Sequence, residues 1–244
     1  MNRFSLLIPN FNHKETIIVL LDRLAVHCLP CLIVNDGSDV ETRRLLEQQE
    51  GARDWVKVLH LPKRRGKGGA VLAGLFHLHE AGYTHAVQLD ADGQHDPDAV
   101  PKFLQQAEVH PTALILGRPV YNSAAPKSRI IGRQISRCWV WIETLSFDIA
   151  DPMTGYRIYP ISVTVAIARR HRLGTRMDFD PEIAVRLYWE GTPVRNVETR
   201  IEYPEGGRSH FMMFKDNALI SWLHTRLFFG MLVRLPRLLA KGAT

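Results

Sequence analysis

Up to residue 117 the chain alternates short apolar runs with longer, helix-patterned stretches, and this alternation restricts the fold more than any other feature. Phe4–Ile8, Leu32–Asn35, Val56–Leu61, Ala86–Leu89 and Ala113–Gly117 read as strands, with helices expected over 14–27, 40–50, 68–81 and 98–109. The strands are rich in Val, Ile and Leu without clean in-out alternation, the pattern of parallel strands covered on both faces. Strand and helix in turn at this spacing imply right-handed crossovers and a doubly wound, mostly parallel α/β sheet flanked by helices. Such sheets bind ligands beyond the carboxyl ends of their strands. The segments to inspect are therefore Pro9-Asn-Phe11-Asn12, Asn35-Asp36-Gly-Ser38, Pro62 to Gly68, and Asp90-Ala-Asp92.

Beyond residue 118 the pattern changes. A loop is expected over 118–126, then a basic helix over 127–145, and Asp151 to Tyr159 leading from loop into strand. A helix over 181–190, a strand over 194–203 and a glycine-bearing loop over 204–211 follow, and the chain closes on an apolar helix over 212–239. Charge is unevenly placed. Residues 1–110 carry 12 Lys/Arg against 14 Asp/Glu, and residues 111–244 carry 19 against 11. A basic half attracts nucleic acid, an anionic membrane or a phosphorylated substrate. Nucleic acid is disfavoured because the basic residues alternate with apolar runs instead of exposed stacking aromatics. The Met1–Asn10 stretch lacks the plan of a signal peptide, so cytoplasmic retention is expected. Cys28-Leu-Pro-Cys31 has thioredoxin spacing, but it ends a helix and precedes a strand, the reverse of the redox arrangement, so both are expected to be buried structural cysteines.

Three D-x-D pairs occur: Asp90/Asp92, Asp96/Asp98 and Asp178/Asp180. The first closes an apolar strand and precedes a Gly-Gln turn. Carboxylates two apart at a strand end can aim oxygens at one Mg²⁺ or Mn²⁺, which draws its other ligands from a diphosphate and water. Asp96-Pro97-Asp98 reads as a helix N-cap with proline at the first helical position. Asp36 suits the edge of a nucleotide or an Asx turn. Gly66-Lys67-Gly68 opens a helix whose N–H groups favour phosphate. It is no P-loop, because glycine follows Lys67, and no dinucleotide fingerprint, because residue 71 is not glycine.

In chain order, Ile8-Pro9-Asn-Phe11-Asn12, Val34-Asn-Asp36-Gly-Ser38, Gly66-Lys67-Gly68-Gly-Ala, Leu89-Asp90-Ala-Asp92-Gly-Gln94-His, Asp151-Pro-Met-Thr-Gly155-Tyr-Arg157 and Gly206-Gly-Arg208-Ser-His-Phe resemble the inverting family-2 glycosyltransferases, especially the dolichyl-phosphate mannosyltransferase-like branch. The resemblance implies a GT-A-like fold and transfer from a nucleoside-diphosphate sugar to a lipid-linked acceptor, polyprenyl phosphate before a hydroxyl of an acyl or polyene lipid. It implies donor binding by Pro9, Phe11, Asn12, Glu15, Asp36, Lys67, Gly68, Asp90 and Asp92. Metal binding falls to Asp90, Asp92 and Gln94, and acceptor or phosphate contacts to Arg118, Arg129, Arg133, Arg157 and Arg208. The chain departs from the family at His13, where Glu is common, and at Arg208-Ser-His-Phe, where Gly-x-Ser-Lys is usual.

On this reading residues 1–211 are a single domain, with 1–118 its nucleotide half and 119–211 its acceptor half, and 212–244 a C-terminal amphipathic helical segment. A phosphate acceptor is already anionic and needs only positioning, whereas a hydroxyl needs a base, for which Asp151 and Asp180 are the candidates. Arg129, Arg133 and Arg137 recur every four residues, a charged stripe that suits either anionic headgroups or an ordinary solvated helix face. In the C-terminal helix His224, Arg226 and Arg234 interrupt the apolar run, which favours lying at a membrane interface or packing on the core over crossing a membrane. A protein that binds nucleotide sugar without catalysis is the competing class.

Overall fold

The computed structural model describes residues 2–121, 127–201 and 212–242, without the side chains of 127–129, 213 and 241–242. Among the described residues seven strands form one sheet: β1 (Phe4–Asn10), β2 (Cys31–Asn35), β3 (Val56–His60), β4 (His85–Gln88), β5 (Leu114–Tyr121), β6 (Arg157–Pro160) and β7 (Val194–Ile201). Their order is β3-β2-β1-β4-β6-β5-β7. Only β6 runs antiparallel, pairing Val87 with Ile158 on one side and Ile115 with Ile158 on the other. The α/β, doubly wound, mostly parallel sheet expected from the alternation is present.

Among the described residues eight α-helices connect or cover the strands: α1 (Lys14–Leu24), α2 (Val40–Ala52), α3 (Lys67–Glu80), α4 (Val100–Val109), α5 (Lys127–Thr144), α6 (Ile161–Arg170), α7 (Phe179–Trp189) and α8 (Met213–Gly242). Helix α6 is the one element without a counterpart in the sequence reading. Its boundary is hidden because Pro160 ends β6 and the helix starts on the next residue, with no side-chain cap.

Both sheet faces are buried, since successive strand residues point to opposite sides. Leu7, Val34 and Ala86 enter one apolar layer with α3, α6, α7 and α8. Leu6, Ile8, Ile33 and Val87 enter the other, with α1 and α4. Asp96 caps the short 3₁₀ turn before α4, accepting from the Asp98 N–H at 3.1 Å, with Pro97 at the first turn. Of the two paired cysteines only Cys31 is buried. Cys28 is exposed with φ of 51°, because the chain reverses there to enter β2.

The sheet's lower edge holds one titratable group in an enclosed setting. His85 is 3% exposed, its ring contacting the Pro111 carbonyl at 2.8 Å and stacking on Phe4. Burial lowers its pKa, against the smaller opposing effect of the carbonyl. The unfolded chain therefore takes up this proton first as pH falls below about 6.5, and the stabilisation from neutral His85 is present above that value and lost below it. In thermal melts, His85→Gln is expected to cost most at pH 7.5 and progressively less toward pH 5. An unchanged difference across that range contradicts this assignment.

Candidate active site

The carboxyl ends of β1, β2 and β4, with the N-terminus of α3, converge on one region. Asp90, two residues past the end of β4, is its centre. Its Oδ2 lies 2.8 Å from the Lys67 ammonium and 3.5 Å from His95 Nε2, and its Oδ1 accepts from the Gln88 amide at 3.3 Å. Tyr159 on β6 donates its hydroxyl to Gln88 at 3.0 Å and fixes that amide. Burial alone raises the Asp90 pKa, but Lys67 and His95 outweigh it and hold the carboxyl well below the ordinary range.

Gly155 is needed by Asp90 as much as any polar partner is. A Cβ at position 155 collides with the Asp90 carboxylate. The backbone of the Met153-Thr154-Gly155 turn passes directly over the acid, and only glycine permits that approach.

Lys67 is the first residue of α3, entered through Gly66 at φ of 88°. Its ammonium also meets Asp180 of α7 at 2.8 Å, and Asp180 stands 3.6 Å from Arg157. Burial disfavours the charge on Lys67, but Asp180 and Asp90 more than compensate and raise its pKa. Asp36, at the end of β2, accepts from the N–H groups of Arg65 at 2.6 Å and Gly66 at 2.8 Å, clamping the loop that delivers Lys67. Burial raises the Asp36 pKa, partly opposed by those two N–H groups.

Asp92 accepts from the Gln94 N–H at 3.0 Å, so the Gln94 backbone shapes the turn. Asn12 ties the β1 and β2 ends together, accepting from Asp39 N at 2.9 Å and donating its N–H to Ser38 at 3.1 Å. Phe11 lies beneath the Arg64 guanidinium at 3.7 Å. Pro9 is half-buried within β1, Gly68 packs against Phe179, and Glu15 is exposed on the first turn of α1.

The two candidate bases are occupied. Asp151 accepts from Arg133 of α5 at 2.8 Å and from Met153 N at 2.8 Å, and is 6% exposed. Asp180 is 2% exposed and committed to Lys67 and Arg157. Arg157 corrects an expectation. It is wholly buried, donating to the carbonyls of Pro152, Thr154 and Asp180, so it braces the Asp151–Arg157 turn and offers nothing to an acceptor. Arg118 is exposed on β5, paired with Glu198 across to β7 at 3.6 Å. Arg208 and the Arg129 side chain lie outside the described residues.

Sequence reasoning gave no role to Gln88 or His95, and marked His13 only as a departure from the family pattern. Burial lowers the His13 pKa, opposed by the nearby Asp92 and Asp90. Gln88 carried a readable signal, a polar side chain inside the apolar run Ala86-Val-Gln-Leu89.

Among the described residues no group of three or more His, Cys, Asp or Glu converges as a closed metal cage. Two carboxylates on one turn still suit a hard divalent ion that takes its remaining ligands from phosphate and water. Gly155→Ala is expected to lower stability by about 1–3 kcal/mol through overpacking. It should also rotate Asp90 away from Lys67. Chemical denaturation and the structure of the variant measure these two effects.

The sequence profile of Glycosyl transferase family 2 matches residues 5–173. The chain is 30% identical over 170 residues to an undecaprenyl-phosphate mannosyltransferase of Micrococcus luteus, covering 66% of this chain and 68% of that protein. It is 29% identical over 163 residues to a polyprenol monophosphomannose synthase of Mycolicibacterium smegmatis, covering 64% of this chain and 61% of that one, somewhat under two thirds of its length. In fold it is similar to glucosyl-3-phosphoglycerate synthase from Mycobacterium tuberculosis, at TM-score 0.67 and 14% identity over 93% of this chain and 79% of the other. It is similar also to a mannosyltransferase from Pyrobaculum calidifontis in complex with GDP-Man and Mn²⁺, at TM-score 0.59 and 16% identity over 84% and 58%. With the strand-end motifs in the same order, the match over most of its length makes this chain a glycosyltransferase that belongs to family 2.

Proposed function

We propose that the protein transfers a sugar from a nucleoside-diphosphate sugar to a polyprenyl phosphate at a membrane surface. The observation that carries this reading is the division of α5 into two faces. Arg133 turns inward to Asp151, whereas Ile131, Ile135, Cys138, Trp139 and Ile142, with Gln134 among them, form an open, mostly apolar outward face. A phosphate held near Arg133 and a hydrocarbon tail laid over that face would use both sides of one helix. The names of the two relatives, each a polyprenyl- or polyprenol-phosphate mannosyl enzyme, support the same class of acceptor.

The outer face of α8 adds to this support. Phe214, Ala218, Trp222, Phe229 and Val233 fall on one side of the helix and are exposed, Phe214 by 91% and Val233 by 81%. Of the cations in this helix, His224 and Arg234 turn toward the domain, while Arg226 stays exposed. His224 contacts Glu143 at 2.8 Å, Arg226 approaches Glu182 at 3.7 Å, and Arg234 lies over Trp189. The stretch 214–240 is long and apolar enough to cross a bilayer by length and composition. Its inner residues Leu223, Leu227 and Met231 are buried against the domain, which favours lying in the interface. Trp139, in ring contact with His224 and Phe228, joins the α5 and α8 surfaces.

Asp90 and Asp92 would hold Mg²⁺ or Mn²⁺, which when bound supplies positive charge against the departing diphosphate. The acceptor oxygen attacks the anomeric carbon as the carbon–oxygen bond to the diphosphate breaks, with inversion, and the nucleoside diphosphate leaves with the bonding electrons. A phosphate oxygen brings its own negative charge. Asp151 is engaged by Arg133, and Asp180 is buried with Lys67 at 2.8 Å and Arg157 at 3.6 Å, which favours an acceptor that brings its own charge, phosphate over hydroxyl.

Incubation with UDP-, GDP- and dTDP-sugars plus Mn²⁺ is expected to release nucleoside diphosphate from one donor class, abolished by chelation and lowered about 100-fold or more in Asp92→Asn. Release from none of the three would sink the reading. Asp151→Asn should keep donor hydrolysis and raise the KM for polyprenyl phosphate. Loss of kcat with hydrolysis intact would point to a hydroxyl acceptor instead. Phosphatidylglycerol vesicles should co-sediment the protein at low salt, and a Trp222→Glu/Val233→Glu variant that melts like the wild type should remain in solution.

A further inference from the structure

Asp90, the best-placed acid for a divalent ion, already has a cation against it. Lys67 Nζ sits at 2.8 Å from Asp90 and equally at 2.8 Å from Asp180, with its side chain only 16% exposed. Asp180 in turn faces Arg157, which is fully buried. Two carboxylates and two cations thus form a balanced, largely enclosed group. A divalent ion placed on Asp90 brings two further positive charges beside the Lys67 ammonium, in a setting where charge is poorly screened. The ion and the lysine therefore compete for one carboxylate.

The lysine stands at the first position of α3, where the helix dipole favours phosphate; the N–H groups of Gly66 and Gly69 are already given to Asp36 and to the Thr175 carbonyl, and Gly68 packs against Phe179. An incoming diphosphate offers the ammonium a new anion on that side while bringing its own oxygens to the ion. Asp180, 2% exposed and 2.8 Å from the same nitrogen, gives up that contact together with Asp90 and keeps Arg157 at 3.6 Å.

We propose that Lys67 is a resident counter-cation of Asp90, which disfavours divalent-ion binding until a nucleoside diphosphate draws the ammonium away, so that ion and donor bind each other's complexes far better than the free protein. This rests on the donor and metal assignment made under the proposed function, and extends it to an order of assembly. By linkage, the factor by which nucleotide tightens ion binding equals the factor by which the ion tightens nucleotide binding. Removing the Lys67 charge should abolish most of that factor while raising affinity for the ion alone.

The test is a Mn²⁺ titration followed by electron paramagnetic resonance, without nucleotide and with UDP or GDP. Lys67→Met is expected to bind Mn²⁺ alone about tenfold or more tightly than wild type, and to show a correspondingly smaller gain from nucleotide. Lys67→Arg, which keeps the charge, should follow wild type. Lys67→Gln serves as a second neutral variant if Lys67→Met does not fold. In the wild-type protein the ¹H–¹⁵N resonance of the Lys67 ammonium should stay in place with Mg²⁺ alone and shift once nucleotide is added. Folded neutral variants that bind Mn²⁺ no tighter than wild type, or an ammonium signal that moves with Mg²⁺ alone at low concentration, would overturn the proposal while leaving the donor reading standing. If no protein binds Mn²⁺ even with nucleotide, the metal assignment itself fails and this proposal falls with it.

Discussion

A carboxylate held at the end of a buried parallel strand sets the conditions for everything around it. Asp90 projects from the centre of the sheet, between layers that are apolar on both faces. A lone charge there is costly unless it is paired and hydrogen-bonded. The surrounding residues answer that cost from four separate elements: Lys67 from α3, Gln88 from β4, His95 from the following turn, and the Gly155 backbone from the approach to β6. The antiparallel insertion of β6 between β4 and β5 brings the last of these within reach. Had β6 been parallel, the Asp151–Arg157 turn would lie at the opposite end of the sheet.

The fold was legible because its cause is local. Apolar runs too short for helices, spaced by helix-length segments, leave few arrangements other than a wound parallel sheet. The strand-end rule then selected Asp36, Lys67, Asp90 and Asp92, and the structure brings Asp36 to the loop of Lys67 and Lys67 to Asp90. What remained hidden depends on contacts between distant segments. Asp180 and Arg157 are 23 residues apart and look like a helix cap and a motif arginine, yet they neutralise each other inside the protein. Composition cannot distinguish a surface arginine from one that braces three carbonyls. The stripe of Arg133 and Arg137 misled for the same reason: helical spacing shows that two residues share a face, and says nothing about which way that face points. Arg133 faces Asp151, and Arg137 stacks on Trp141.

The same reversal connects the site with the surface. Once the charged face of α5 turns inward, its isoleucines and Trp139 must face out, and α8 packs beside them, with Trp139 in ring contact with His224 and Phe228. His224, Arg226 and Arg234 each find a partner there, in Glu143, Glu182 and Trp189. Glu143 is fully buried, and burial raises its pKa despite the opposing histidine, so the α5–α8 seam is joined by a polar contact that water does not reach. Two helices that satisfy their charges inward are left with exposed hydrocarbon. A soluble domain seldom presents a continuous apolar face without a use for it. Here the face lies on the reverse of the helix that supplies Arg133, one helix diameter of about 10 Å from the acid it holds. An acceptor whose phosphate and hydrocarbon are covalently joined fits that separation, because reaching the site from a membrane would then require only that its headgroup turn around α5.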